Sequence, residues 1–339
     1  MVFLSAIQPL GLSESLSRSR VRWVLIPLLF WLLPGTGVRA QLITGMDSLA
    51  TRIPLYTEDT FDGCLPDAEY AERDAENIGR VISATSEPAV YHFAPEGPSK
   101  GAIVVVPGGG YYVMAWDWEG VAMAEPLRDA GLHVFVLQYR TPASHDTDPC
   151  KRTAVFRDAR RAVQLARSRA DELGYAPDKV AMMGFSAGGH LTATTLLDHV
   201  LAIPDAADPL DRFSSRPDHG ILVYPVLYLS EHPASHAGTR EALLGKDWLT
   251  DTARTVYDLP PRVTAEHPPT LLVHAADDAG VPVANSVDYF TRLREHEVEA
   301  SLFVYPDGGH GFASATAQEG TVRYWFEEVL RFLASHDYL

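Results

Sequence analysis

Val180-Ala-Met-Met-Gly-Phe-Ser-Ala-Gly-Gly-His190 decides how the chain is read. Val180 to Phe185 is a continuous apolar run of strand length, and a helical stretch from Ser186 to about Val200 follows it without a linker. Gly184-Phe185-Ser186-Ala187-Gly188 sits on the join, in the pattern G-x-S-x-G. A serine in so tight a strand-to-helix turn has a strained backbone, and its neighbours two residues away must be small. The turn lifts Ser186 Oγ above the end of a sheet. The helix behind it aims free N–H groups at any developing negative charge.

Working outward, short apolar runs alternate with amphipathic stretches. Ala102–Val106, His133–Gln138, Ile221–Tyr224, Leu271–His274 and Leu302–Tyr305 join Val180–Phe185 as predicted strands. Runs with so little alternation belong to a sheet buried on both faces. The spacing predicts helices over Glu119–Ala130, Thr153–Leu173, Val283–His296 and Thr321–Ser335. Pro126 should kink the first of these or delay its start. Val155, Ala159, Ala162, Val163 and Ala166 form one stripe on the second. Strand–helix alternation of this kind makes an α/β domain with a mainly parallel central sheet and helices on both faces. The domain is expected over residues 89–339, with residues 41–88 as an extended N-terminal segment packed on it. Pro225–Pro269 is too long for a simple connection and reads as an insertion over the active face.

Three further loops carry chemistry. Ala102–Val106 runs into Pro107-Gly108-Gly109-Gly110-Tyr111-Tyr112. Glycines at a strand end let the backbone turn and bare its N–H groups. The N–H groups of Gly109, Gly110 and Ala187 are the expected oxyanion donors. A phosphate-binding loop is set aside, because the Lys-Ser/Thr pair and the G-x-G-x-x-G spacing are missing. A serine at its ordinary pKa is a poor nucleophile. It needs an imidazole within hydrogen-bond reach and a carboxylate to fix that ring's tautomer. His310 lies in Gly308-Gly309-His310-Gly311, after a predicted strand, and is the expected base. Asp277 and Asp278 follow another strand end, and spacing does not choose between them. His190 and His274 read as packed. His232 and His236 stand four apart without a helical HExxH, so they make weak metal candidates. The chemistry calls for no metal and no cofactor.

The chain has 339 residues and a net charge of −16. Its Gly and Pro residues show no periodic repeat, which excludes collagen, and its 46% hydrophobic content excludes a disordered chain. The acidic balance argues against nucleic acid and other polyanions and suits a neutral substrate. Residues 1–40 read as a secretory signal: Arg18, Arg20 and Arg22, an apolar run from Trp23 to Leu33, then Val38-Arg39-Ala40 before a cut at Gln41. The run is too short to span a bilayer. A secreted or periplasmic chain without a stable membrane anchor is therefore expected. Cys64 and Cys150 could pair in an oxidising compartment or remain two buried thiols.

Taken together, these residues resemble the α/β-hydrolase superfamily, and within it the secreted acetylxylan and feruloyl esterase-like group. The resemblance runs from about Ile53 to the C-terminus. Besides the loops above, it rests on Ile53-Pro-Leu-Tyr56, Asp117-Trp-Glu-Gly120, Gln138-Tyr-Arg140, His236-Ala-Gly-Thr-Arg240 and His274-Ala-Ala-Asp-Asp278. It implies an α/β-hydrolase fold and a serine carboxylesterase using Ser186, His310 and Asp278. The aspartate follows from the group's Asp-x-x-Val-Pro pattern, which fits Asp278 to Pro282. It implies a short acyl ester of a small molecule or polysaccharide as substrate. Tyr112, Trp116 and Trp118 depart from the group's smaller or basic residues; Tyr111, Tyr112 and Trp116 are expected to line a narrowed acyl pocket or to stack on a sugar, the alternative being that such aromatics only pack. A serine peptidase of the prolyl-oligopeptidase type shares Asp-x-x-Val and Gly-Gly-His-Gly, but this chain lacks room for a propeller domain. A non-catalytic glycan-binding homologue would have no need of the complete triad.

Overall fold

In the computed structural model, residues 49–66, 68–142, 149–245, 255–313 and 320–339 are described. The expected signal at 1–40 lies outside them. The strands among them are β1 (Thr51–Pro54), β2 (Ala71–Ala75), β3 (Gly79–Ser83), β4 (Ala89–Phe93), β5 (Ala102–Val106), β6 (His133–Gln138), β7 (Val180–Phe185), β8 (His219–Val223), β9 (Thr270–Ala275) and β10 (Ala300–Tyr305). The main helices are α1 (Ala122–Asp129), α2 (Pro149–Ser168), α3 (Ser186–Leu197), α4 (Ala237–Leu244), α5 (Ala284–Glu295) and α6 (Trp325–Ser335).

Eight strands form one sheet in the order β1-β4-β6-β5-β7-β8-β9-β10. The six from β6 to β10 are parallel, and β4 and β1 extend that edge antiparallel. Every residue of β5, β6, β7 and β9 is buried, as a sheet covered on both faces requires. Phe185 shows where the covers lie. Its ring meets Trp325 of α6, whereas a Cβ on neighbouring Gly184 would strike Thr192 of α3. Successive strand residues face opposite ways, so α3 and α6 cover opposite faces.

From β5 the chain passes through α1 to β6 on one side, then crosses through α2 to β7 on the other. The C-terminal ends of β5 and β7 are therefore the point where strand order reverses, which is where sheets of this kind place their ligands. Gly108–Gly110 leaves β5 at that point and Ser186 leaves β7.

The N-terminal segment differs from expectation. It is not merely an extended wrapping: β1 is an edge strand of the main sheet, and β2 and β3 form a separate antiparallel hairpin. The helix expected from Glu119 is preceded by a π-helical turn, Trp116–Val121, and α1 runs through Pro126. The insertion packs on α3. Val226 N–H bonds the carbonyl of Ser186, and the carbonyl of Tyr257 accepts from His190 Nε2. Among the described residues no helix is long and apolar enough to cross a membrane.

Cys64 and Cys150 form a disulfide across 86 residues of sequence. Beside it Arg140, 2% exposed, bonds both Asp158 and Asp62, and Tyr56 hydroxyl donates to Asp158. Bridge and ion pairs together pin the N-terminal segment to α2. Closing so long a loop restricts the unfolded chain, so Cys64→Ser is expected to cost about 2–5 kcal/mol. Urea unfolding of the variant, and of the parent with reductant, reads this; an unchanged midpoint would refute it.

Four histidines contribute to the response to acid. Burial pulls His92, His190 and His267 down to about 4 and His219 to about 3. His190 is fixed as a neutral tautomer: Nδ1 accepts from Tyr111 hydroxyl and Nε2–H donates to the Tyr257 carbonyl. The unfolded chain binds protons near pH 6.5 that the folded one refuses until about pH 4. The stability these groups contribute is thus complete above pH 6.5 and lost as pH falls toward 4. His190, fully buried, accounts for about 2 kcal/mol of the loss at pH 5. The urea midpoint at pH 5 should lie below that at pH 7; an equal or higher one would contradict the assignment.

Candidate active site

Ser186 is the first residue of α3, 6% exposed, with φ of +51°. A non-glycine residue holds that conformation only where its surroundings enforce it. The enforcement is steric. A Cβ on Gly188 would lie 2.3 Å from the Val106 carbonyl and 2.6 Å from that of Pro107. Only a glycine there lets α3 start against the end of β5.

Ser186 Oγ lies 2.9 Å from His310 Nε2, and His310 Nδ1 lies 2.7 Å from Asp278 Oδ2. Asp278 Oδ1 accepts the N–H groups of Gly280 and Val281 at 2.9 and 2.7 Å. His274 Nε2 stands 3.3 Å from Asp278 Oδ2. Burial pushes the Asp278 carboxyl up, but hydrogen bonds from His274, His310 and Val281 outweigh it and hold the group well below the usual carboxylate range. It is therefore ionised, and an ionised Asp278 accepts from Nδ1–H. That leaves His310 Nε2 as the acceptor for the Ser186 hydroxyl. Of the two aspartates that spacing left open, Asp278 meets the ring. Asp277 is exposed and accepts Gly309 N–H at 2.8 Å, which steadies the histidine loop.

The oxyanion loop lies against the serine. Gly109 has φ of +128°, and a Cβ there would fall 2.2 Å from the Val113 carbonyl, so the turn admits only glycine. Gly108 N–H donates to Glu119 Oε2 at 2.7 Å. Among the described residues no acceptor engages the N–H of Gly109 or Gly110. Ala187, in the first turn of α3, has no intrahelical acceptor. The N–H groups of all three expected donors are thus without an acceptor among the described residues. Together the parts can take the proton from a hydroxyl as it attacks a carbonyl, stabilise the charge that develops on the carbonyl oxygen, and return the proton to a leaving group.

The aromatic residues require a correction. Tyr111 and Trp116 do not line the site; both are wholly buried. Tyr111 turns inward to bond His190, and Trp116 packs edge-on against Tyr91. Tyr112 alone stays at the rim, its ring 3.6 Å from where a Cβ of Gly110 would sit. Trp118, expected beside them, donates its indole N–H to the Gly311 carbonyl at 2.7 Å and so holds the histidine loop.

Sequence reasoning missed several supports. Tyr224, at φ +38°, lays its ring 4.9 Å from that of His310 and donates its hydroxyl to Glu119 Oε1. His274, read as packed, donates Nε2–H to the Val281 carbonyl at 2.9 Å and so holds the turn that carries Asp278. His236 caps α4 by accepting Thr239 N–H. His232 stacks on Tyr228 instead of joining His236. Among the described residues no three His, Cys, Asp or Glu side chains cluster as metal ligands. Asp117-Trp118-Glu119-Gly120 was the visible signal for part of this framework, but acidic residues at a helix start read as a solvated first turn.

A profile of the alpha/beta hydrolase fold matches residues 103–314. The chain is 34% identical over 227 residues to an acetylxylan esterase of Xylanibacter ruminicola, covering 66% of this chain and 43% of that protein. It is 30% identical over 277 residues to endo-1,4-beta-xylanase B of Butyrivibrio fibrisolvens, covering 79% and 42%. The chain thus spans less than half the length of either relative. A crystal structure of an acetyl ester-xyloside bifunctional hydrolase from Caldicellulosiruptor lactoaceticus superposes with a TM-score of 0.73 at 29% identity, covering 85% of this chain and 97% of that one.

Proposed function

The chain belongs to the alpha/beta hydrolase fold family, and from that premise we propose that it is a serine carboxylesterase acting on short acyl esters of a neutral carbohydrate, acetylated xylan first among them. The observation that carries the reading is the unbroken relay Ser186 Oγ, His310 and Asp278, with hydrogen bonds of 2.9 and 2.7 Å. Ser186 attacks the ester carbonyl while His310 Nε2 takes its proton. The oxyanion is received by the amides of Gly109, Gly110 and Ala187. His310 then protonates the departing alcohol and an acyl-enzyme remains. Water, deprotonated by the same nitrogen, releases the acid. Asp278 stabilises the imidazolium in both halves.

A small acyl group is favoured by the acetyl esters in the names of the relatives above. A neutral alcohol is favoured by the net charge of −16, and a xylan alcohol by what the relatives named above act on. Export to the periplasm or medium is part of the proposal. The Cys64–Cys150 bridge supports it, since such bridges persist in oxidising compartments.

The test is turnover of p-nitrophenyl acetate, butyrate and octanoate, followed by acetate release from acetylated xylan. Rates should fall with chain length, and xylan should release acetate. Folded protein that cleaves none of these would overturn the esterase reading and direct attention to peptides.

A further inference from the structure

We propose that Glu119 is a positioning residue of this site, whose carboxyl ties the oxyanion loop to the aromatic platform beneath His310. The proposal rests on the esterase reading above and adds to it a part outside the triad and the oxyanion donors.

Glu119 is 4% exposed and lies inside the π-helical turn Trp116–Val121. Its two oxygens serve different elements. Oε2 accepts Gly108 N–H at 2.7 Å, and Oε1 accepts the Tyr224 hydroxyl at 2.9 Å. Gly108 lies close against the nucleophile's turn: a Cβ on it would sit 2.9 Å from Ser186 Cβ and 2.5 Å from the Phe185 carbonyl. Taking the Gly108 amide fixes the strand end from which Gly109 and Gly110, the proposed oxyanion donors, continue. The other oxygen fixes the hydroxyl of Tyr224, whose ring lies against His310 and Phe312. One side chain therefore sets the spacing between oxyanion donors and base.

The turn carrying Glu119 is itself anchored on both sides. Asp117 pairs with Arg80 of β3 at 2.6 Å, and Trp118 holds the carbonyl of Gly311, next to His310. π-turns of this kind recur at functional sites, where the extra residue re-aims side chains. Burying a carboxyl is costly unless its partners compensate. Burial pushes the Glu119 carboxyl up, and the charge of His310 and the hydrogen bonds from Gly108 and Tyr224 oppose that. A carboxyl with no role beyond packing would be replaceable by an apolar side chain of its size.

The test compares Glu119→Ala, Glu119→Gln and Tyr224→Phe with the parent on p-nitrophenyl acetate, with thermal unfolding run on each. Removing both tethers in Glu119→Ala should lower kcat about 100-fold, the size of one lost oxyanion donor. KM should stay within about 3-fold, because ground-state binding does not use the tether. Glutamine offers an oxygen to Gly108 and an NH2 to Tyr224, so Glu119→Gln should recover to within about 10-fold of the parent. A folded Glu119→Ala protein with kcat within about 3-fold of the parent, or Glu119→Gln as impaired as Glu119→Ala, would overturn the proposal. Should Glu119→Ala not fold, Tyr224→Phe decides: kcat about 10-fold down at unchanged KM supports the tether, and unchanged kcat overturns it. An inactive parent would overturn the esterase reading itself; an active parent indifferent to these changes would overturn only the role of Glu119.

Discussion

Ser186→Ala is expected to lower kcat for p-nitrophenyl acetate by about 10⁶-fold while leaving the fold intact. The size follows from what remains. Without Oγ no acyl-enzyme forms, and His310 can act only on bound water from a position set for a hydroxyl 2.9 Å away. The amides of Gly109, Gly110 and Ala187 survive, so a residue of oxyanion stabilisation persists. Alanine accepts the φ of +51° no worse than serine, and Gly184 and Gly188 still give the turn its room. The variant should therefore melt like the parent. Steady-state rates together with thermal melting check both halves. Retention of more than about one per cent of activity would remove Ser186 from the nucleophile's role.

Asp278→Asn should cost about 10⁴-fold in kcat. The reason is a tautomer, not a lost charge alone. Gly280 and Val281 N–H both point at Oδ1, so the asparagine amide oxygen must stay with them. Its NH2 then faces His310 Nδ1 and donates to it. The ring is forced to carry its own proton on Nε2, where it can no longer accept from Ser186. Folding should be little affected, because Asn preserves the backbone contacts of the loop. KM should change far less than kcat, since the lost interaction belongs to the transition state. If Asp278→Asn keeps activity while Asp277→Asn loses it, the acid has been assigned to the wrong neighbour.

Why some of this was legible in the sequence and some was not has physical causes. The parallel strands announced themselves because burial on both faces demands uninterrupted apolar runs such as Ala102–Val106 and Val180–Phe185. β1 and β2 did not, since Thr51–Pro54 is short and largely exposed and Ala71–Ala75 alternates no apolar face at all. Ser186 and His310 stood out because glycines crowd them, and glycine marks where backbone must turn or approach closely. Asp277 and Asp278 share one strand end, so only side-chain direction separates them. Tyr111 and Trp116 misled because residue type beside a glycine-rich loop does not say which way a ring turns. The positive φ of Tyr111, +63°, turns its ring into the core instead. Glu119 was hidden for the opposite reason: a helical acid reads as solvated, and only the π-turn faces it inward.

The most direct test of the whole account is labelling with a fluorophosphonate probe, followed by peptide mapping of the modified protein. The account predicts one label per chain, on Ser186, absent from Ser186→Ala and sharply slowed in Asp278→Asn. A folded parent that takes no label, or that takes it on any other residue, would contradict the claim that Ser186, His310 and Asp278 form a working acyl-transfer site.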